Sequence, residues 1–372
     1  MTGTAAESAE VVVVGGGVLG ASVAYHLTEL GVTDVVLLER DQLASGSTSK
    51  SAGGIRAQFA DELNIRIALR SLAEFESFEE RLGVDIAFRQ FGYLFLLDSQ
   101  PDVDRFGDAV ALQQEQGVPS RELSVAEALA IVPQLEPDGL VAATYCPLDG
   151  YATPEAVVQG YARAAVERGV RVRQGAPATG IVRQGERIVA VETPAGRIAT
   201  GTVVCTAGAW SEEVAGLAGL ELPVRGERRW MHYSPDSGGL GDDTPLTVDF
   251  STSFYFHREG PGLVFGGPQQ TLDELAGPAS RRLPLVADVP IQASWWGYYE
   301  MSPDHNAIVG EAGSPGRFLY GTGFSGHGFQ QAPAVGEHLA QLVAGVEPSL
   351  DLSAFSADRF DRGALRVEPF VI

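Results

Sequence analysis

Apolar residues fall into two rhythms along the chain. Val11 to Val14 are four consecutive β-branched residues, the pattern of a strand covered on both faces. Gly15-Gly16-Gly17-Val18-Leu19-Gly20 follows, and an Ala/Leu-rich stretch to about Leu30 then reads as a helix stopped at Gly31. A second strand, Val35 to Leu38, ends at Glu39. Over 61–82, Leu63, Ile67, Leu72, Phe75, Phe78 and Leu82 share one helical face and predict a single long helix. Phe91 to Leu97 reads as a strand, followed by polar helices that end near Pro133. Thr153-Pro154-Glu155 predicts a helix over 153–168 with Thr153 as its cap. Short strands lead to Val203-Val204-Cys205, and 226–300 is strand-like with a turn at Gly260-Pro261-Gly262. A Gly-rich loop at 321–328 precedes a helix at 332–344, and the last few residues read as an edge or tail.

Length and composition narrow the class. The 372 residues, 45% of them hydrophobic, suffice for two domains with a large core. No repeat or low-complexity linker separates them, so the domains are expected to interleave. The 26 basic against 48 acidic residues give a formal charge of -22, which argues against nucleic acid or an anionic membrane face as partner. Nearly all the cations are arginine, and Lys50 is the sole lysine. Cys146 and Cys205 are too few for a disulfide framework, and the six histidines are too scattered for a metal site. No apolar run approaches a membrane span. The first cationic side chain is Arg40, so the N-terminus lacks the basic region of a signal peptide. A reduced, cytoplasmic protein is the expectation.

The glycine motif sits where a dinucleotide site needs it: after a strand, opening a helix, with Glu39 ending the next strand 19 residues after Gly20. Gly15 permits the tight turn, Gly17 lets backbone approach a pyrophosphate, and Gly20 allows close helix–strand packing. The helix start around Val18 and Leu19 offers N–H donors and positive dipole to phosphates, and Glu39, with Arg40 beside it, faces the ribose. The motif alone leaves FAD and NAD open. The small-residue stretch ASGSTSKSAGGIR at 44–56 can lay amides and hydroxyls along a second phosphate or a flavin ring; its candidates are Ser47, Thr48, Ser51, Ala52 and Gly53.

Nearly end to end, the sequence resembles the sarcosine oxidase/glycine oxidase-like flavoproteins of the D-amino-acid oxidase superfamily. The resemblance is carried by GGGVLGASVAYHL, GSTSKSAGGIRAQF, CTAGAW at 205–210, YYEMSPDHNAIVG at 298–310 and GTGFSGHGFQQAPAVG at 321–336. Sarcosine oxidase β-type subunits, dye-linked proline dehydrogenases and dimethylglycine-oxidising enzymes look most alike. It implies an α/β fold (α+β overall) in which a Rossmann-like FAD-binding domain, 1–84, 146–224 and 301–372, interleaves with a β-sheet-rich substrate domain, 85–145 and 225–300. It also implies FAD as cofactor and oxidation of a carbon next to an amine, giving an imine that water hydrolyses. Ala207, Gly208 and Trp210 in CTAGAW, with Gly323, Phe324, Ser325, Gly326, His327, Gly328, Phe329 and Gln330, complete the candidate FAD contacts.

Oxidising a C–N bond requires the reacting carbon to be held against flavin N5 and the reduced ring to be stabilised. The loop GFSGHGF can turn its amides and the following helix dipole toward the ring edge that gains charge; His327 within it either faces the ring or caps backbone. An amino-acid substrate needs a carboxylate ligand, for which arginine is the bidentate choice, and Arg56 matches that position in monomeric sarcosine oxidases. Their second, lysine clamp corresponds to Gln330, and their pocket histidine to Pro268. Tyr255 and Tyr299 match pocket tyrosines, although aromatic strand residues are equally often core. The positions that anchor flavin covalently in relatives hold Gly297 and Lys50, so dissociable FAD is expected. The lysine credited with oxygen activation corresponds to Val264, which favours a dehydrogenase using a dye, quinone or electron-transfer protein over an oxygen-using oxidase. A 2-hydroxy acid dehydrogenase is the chemical alternative, with His305 or His327 as the base it requires. A flavin-bearing subunit without activity is the non-enzymatic one.

Overall fold

The computed structural model describes residues 7–372, so the first six residues of the expected FAD-binding part lie outside the described residues. A six-stranded sheet runs in the order Ile308–Glu311, Phe318–Thr322, Thr202–Cys205, Val11–Val14, Val35–Leu38, Arg171–Arg173. All neighbours are parallel except Ile308–Glu311 against Phe318–Thr322. Alternate residues serve opposite cores. Val11, Val13, Val35 and Leu37 pack against the helices Val18–Glu29, Pro154–Glu167 and Gly328–Ala344. Val12, Val14, Val36 and Leu38 pack toward Ile181, Val191 and Ile198 of a four-stranded sheet on the other face. This two-sided cover is why the strands are apolar at every position.

An eight-stranded sheet takes strands from two stretches of chain. Its order is Ala293–Met301, Arg225–Ser234, Gly262–Gly267, Phe254–Glu259, Leu246–Asp249, Tyr93–Leu97, Ala142–Cys146, Arg121–Leu123. The join between the stretches is the parallel pair Leu246–Asp249 and Tyr93–Leu97. One face carries Leu94, Phe254, Phe256 and Phe265 against the helix Leu272–Arg282. The other carries Tyr93, Met231, Leu246, Tyr255 and Val264, and the site lies on that side.

The helix expected over 61–82 divides at Ser77 into Glu62–Glu76 and Phe78–Leu82. Asp61 caps its start, accepting from Leu63 and Asn64 N–H at 3.0 and 3.1 Å. Ser77 Oγ donates back to Ala73 O at 2.9 Å, a local bond that competes with continuation. The strand-like text of 226–300 contains the helix Leu272–Arg282, masked in the sequence by Pro278 within it. Thr153 precedes its helix without a side-chain capping bond. The helix expected at 332–344 starts at Gly328, because the end of the glycine-rich loop already forms its first turn. The expected tail is also different: Glu368 and Phe370 are fully buried, Phe370 stacking on Phe106 at 4.1 Å.

Candidate active site

The first strand–helix turn brings three chain segments together. Gly15 has φ +114°, and a Cβ there would stand 2.4 Å from Thr206 O. A Cβ on Gly20 would stand 1.8 Å from Gly15 O, so this helix enters closer than any side chain permits. Val18 N–H donates to Thr48 Oγ1 at 3.1 Å, but no side chain caps the helix at Gly17. Its N-terminus thus opens into a cleft as an anion-binding end. Glu39 Oε2 accepts Gly16 N–H and its Oε1 accepts Asp41 N–H, each at 2.8 Å. Beyond it, the Arg40 guanidinium stacks on Trp210 at 3.8 Å.

The cleft continues into a second chamber, the two adjoining at Val18, Ser47, Thr48, Lys50, Gly297, Tyr298, Glu300 and Gly328. Arg56, Tyr255, Tyr299 and His327 all line the second chamber. Every other cofactor candidate from the sequence lines one chamber or the other, except Gly20 and Gly323, which pack inside the protein. The cleft at the glycine turn and the chamber that continues it against residues 323–330 thus offer the lining an FAD requires. Gly15, Gly17, Glu39, Arg40 and Trp210 would hold its nucleotide half. Thr48, Ser51, Gly326 and Gly328 would hold its flavin half.

Lys50 and Gly297 meet in the chamber wall. A Cβ at Gly297 would lie 3.0 Å from Lys50 Cβ, and the Lys50 ammonium lies over Trp296 at 5.7 Å. The two positions that resemble covalent anchors therefore share one place, occupied by a glycine and an amine.

Arg56 is 1% exposed. Its Nη1 donates to Gln58 O, and its Nη2 donates to Phe370 O at 2.7 Å and to His327 Nε2 at 2.9 Å. Guanidinium nitrogens cannot accept, so His327 Nε2 carries the lone pair and the ring is the neutral Nδ1–H tautomer. Burial and the Arg56 charge both push the His327 pKa well below its usual value. The ring makes no capping bond to the helix it precedes. Gln330, at the expected second-clamp position, spends its Oε1 on Arg56 N–H at 2.7 Å.

Residues the sequence reading missed complete the chamber: Tyr93, Arg229, Met231, Leu246, Glu300 and Ile372. Arg229 and Met231 are two apart on one strand and so share its face. That alternation was available in the sequence, but Arg228 beside Arg229 left the choice of face open. Glu300, half-buried between the chambers, accepts from Thr322 Oγ1 at 2.8 Å and Gly323 N–H at 3.3 Å. Burial raises its pKa to about 7 against those bonds. The buried Asp149 carboxyl beneath Arg56 is likewise raised by burial to about 6.

YYEMSPDHNAIVG holds the tail to this site. Asp304 forms a double contact with Arg359, Nε and Nη2 both at 2.8 Å, and its Oδ2 accepts Arg366 N–H. Glu368 N–H donates to Asp304 O at 3.1 Å. The segment so anchored delivers Phe370 O to Arg56. Among the described residues there is no cluster able to hold a metal ion and no helix long and apolar enough to cross a membrane.

Comparison with known proteins agrees with this geometry. Residues 10–342 match the DAO family model, described as FAD dependent oxidoreductase. Mouse mitochondrial sarcosine dehydrogenase is 29% identical over 95% of this chain, which spans 41% of that protein. FAD-dependent oxidoreductase domain-containing protein 1 of Xenopus laevis is 32% identical over 95% of this chain and 83% of its own length. The crystal structure of L-proline dehydrogenase from P. horikoshii superposes with a TM-score of 0.91 at 31% identity, covering 97% of this chain and all of that one. The chain therefore belongs to the DAO family of FAD-dependent oxidoreductases.

Proposed function

We propose that the protein oxidises the C–N bond of a secondary or tertiary amine that carries a carboxylate, an N-alkyl or cyclic amino acid. The carbon next to nitrogen gives up a hydride, the nitrogen lone pair forms the C=N bond, and water then hydrolyses the imine to a carbonyl compound and an amine. FAD, when bound, supplies the hydride acceptor. The substrate chamber lies between the 323–330 loop and the face of the eight-stranded sheet that carries Tyr255 and Tyr299. The buried Tyr255 and half-buried Tyr299 phenols stay protonated, since desolvation raises both pKa values. They exclude water and orient an amine by hydrogen bonding.

The observation that favours an amine over a 2-hydroxy acid is the state of the histidines. A hydroxy acid needs a base for its O–H proton. His327 has its lone pair on Arg56, and His305 lines a different cavity. An amine that enters deprotonated needs neither. The names of the relatives, sarcosine dehydrogenase and L-proline dehydrogenase, point to the same substrate class.

The FAD is dissociable on this reading, because Lys50 and Gly297 stand at the anchoring positions. Electrons leave to a dye, quinone or protein acceptor, because Val264 is buried in the hydrophobic cluster with Met231 and Tyr255 and brings no charge. The membership of the two large sheets supports the division into 1–84, 146–224 and 301–372 against 85–145 and 225–300, with the strands Ala142–Cys146 and Ala293–Met301 each running one residue past a boundary.

Anaerobic titration of the holoprotein with N-methyl amino acids, proline and 2-hydroxy acids tests the reaction. Bleaching of the flavin band by an amine is expected; bleaching by hydroxy acids alone overturns the proposal. Acid precipitation is expected to leave the flavin in the supernatant.

A further inference from the structure

We propose that Arg229, rather than Arg56, is the residue that binds the substrate's carboxylate. This rests on the reading of the substrate as an anionic amine and names the group that recognises the anion.

A guanidinium grips a carboxylate through one of two forks: end-on with Nη1 and Nη2, or side-on with Nε and Nη2. Both forks need an Nη2 hydrogen. In Arg56 the two Nη2 hydrogens go to Phe370 O and His327 Nε2, and Nη1 gives one to Gln58 O. Neither fork is open. The guanidinium also lies over the rings of Phe59 at 4.3 Å and Phe95 at 5.5 Å. Arg56 is thus a positioning residue that fixes the His327 tautomer and ties the Phe370 segment to the chamber.

Arg229 is the opposite case. It projects from the strand Arg225–Ser234 into the same chamber, opposite Gly297, where the neighbouring strand offers no side chain to cover it. Its guanidinium lies over the Tyr299 ring at 4.9 Å. Its hydrogen bonds run from Nη1 alone, to Glu227 Oε2 and Arg228 O, both at 3.3 Å. Its Nε is buried and has no partner. A buried donor without an acceptor is rare in folded proteins and asks for a ligand. The side-on fork of Arg229 is therefore the open anion site in the chamber. With Arg229 over one face of Tyr299, a carboxylate held there sets the rest of the molecule along Met231 and Tyr255, toward the 323–330 loop. The departure at Gln330 has its counterpart here: the cation absent from the helix start is supplied by the sheet.

The test is equilibrium binding of non-reactive ligands to the holoprotein, read as perturbation of the flavin absorption band. Two matched pairs serve as probes: butyrate with butyramide, and cyclopentanecarboxylate with its carboxamide. The wild type is expected to prefer each carboxylate by about 100-fold, the size of a charge-assisted bidentate contact. Arg229→Gln is expected to abolish that preference, and Arg229→Lys, which keeps the charge and loses the fork, to retain about a tenth of it. With a reducing amine, the loss in R229Q is expected mainly in KM. An unchanged carboxylate preference in R229Q overturns the inference. So does the same collapse in R229K and R229Q accompanied by loss of flavin, which marks Arg229 as structural. The amine reading fails separately: if no amine bleaches the flavin while carboxylate binding still depends on Arg229, the anion site stands without that chemistry.

Discussion

At the scale of single residues, the site is governed by burial of charge. Arg56 is a cation enclosed among carbonyls, a neutral imidazole and two aromatic rings, and the buried Asp149 and Glu368 and the half-buried Glu300 lie around it or along the chamber. Glu368 is the clearest of these. Its Oε1 accepts Phe370 N–H at 2.9 Å, its Oε2 has no partner, and burial raises its pKa from 4.5 to about 7 despite the pull of Arg56. A carboxyl whose folded pKa is raised contributes stability that is full below pH 4.5 and is lost as pH rises through 7. Between pH 5 and 8 the wild type is expected to lose up to about 3 kcal/mol from this group. Glu368→Gln is expected to flatten that part of the profile, measured by urea unfolding at the two pH values. An equal slope in both proteins would assign the pH dependence to Asp149 and Glu300 instead.

Between elements, the helices Val18–Glu29, Glu62–Glu76 and Pro154–Glu167 are joined by Glu74. Its carboxylate, 1% exposed, meets His26 Nε2 at 3.1 Å, Tyr161 OH at 2.8 Å, Arg70 at 3.3 Å and Arg81 at 3.5 Å. Burial works against the charge, but the His26 and Tyr161 bonds and the arginine charge win and hold its pKa at about 2. Here the sign is reversed: the stabilisation is present above pH 4.5 and fades as pH falls toward 2. Glu74→Gln is expected to cost about 3 kcal/mol at pH 7, with the difference vanishing near pH 2, by chemical denaturation. Helix and strand positions were largely legible from period alone, because buried strands need apolar residues at every position and covered helices at every third or fourth. Element ends were less so. Ser77 divides a helix through one side-chain bond, and Gly328 starts one because its neighbours pack, and neither event leaves a pattern in the text.

On the scale of the whole molecule, the chamber is assembled from parts far apart in sequence: residues 18, 47–56, 93, 229–255, 297–300, 325–330 and 372. The glycine turn, Arg56 and the 323–330 loop were readable because each is a compact motif. Arg229, Glu300 and the Phe370 segment were not, because their places depend on sheet register and on a tail docked by Asp304. That docking is testable. Asp304→Asn leaves Arg359, 4% exposed, without its charge partner. The expected cost is about 3–5 kcal/mol, seen as a lower midpoint of urea unfolding, together with earlier proteolytic cleavage in 356–372. Cleavage and stability like the wild type would show that the tail is held by Phe370 packing alone.

The cationic surface of this protein is written almost wholly in arginine, and its one ε-amine, Lys50, stands inside the cleft where the two chambers adjoin. Acylating reagents thus meet a molecule whose outer face offers them no lysine at all. Such a chain carries its own occupancy gauge: the mass added at the Lys50 ε-amine, read apart from that at the α-amine, reports how open the cleft is, with no label engineered in.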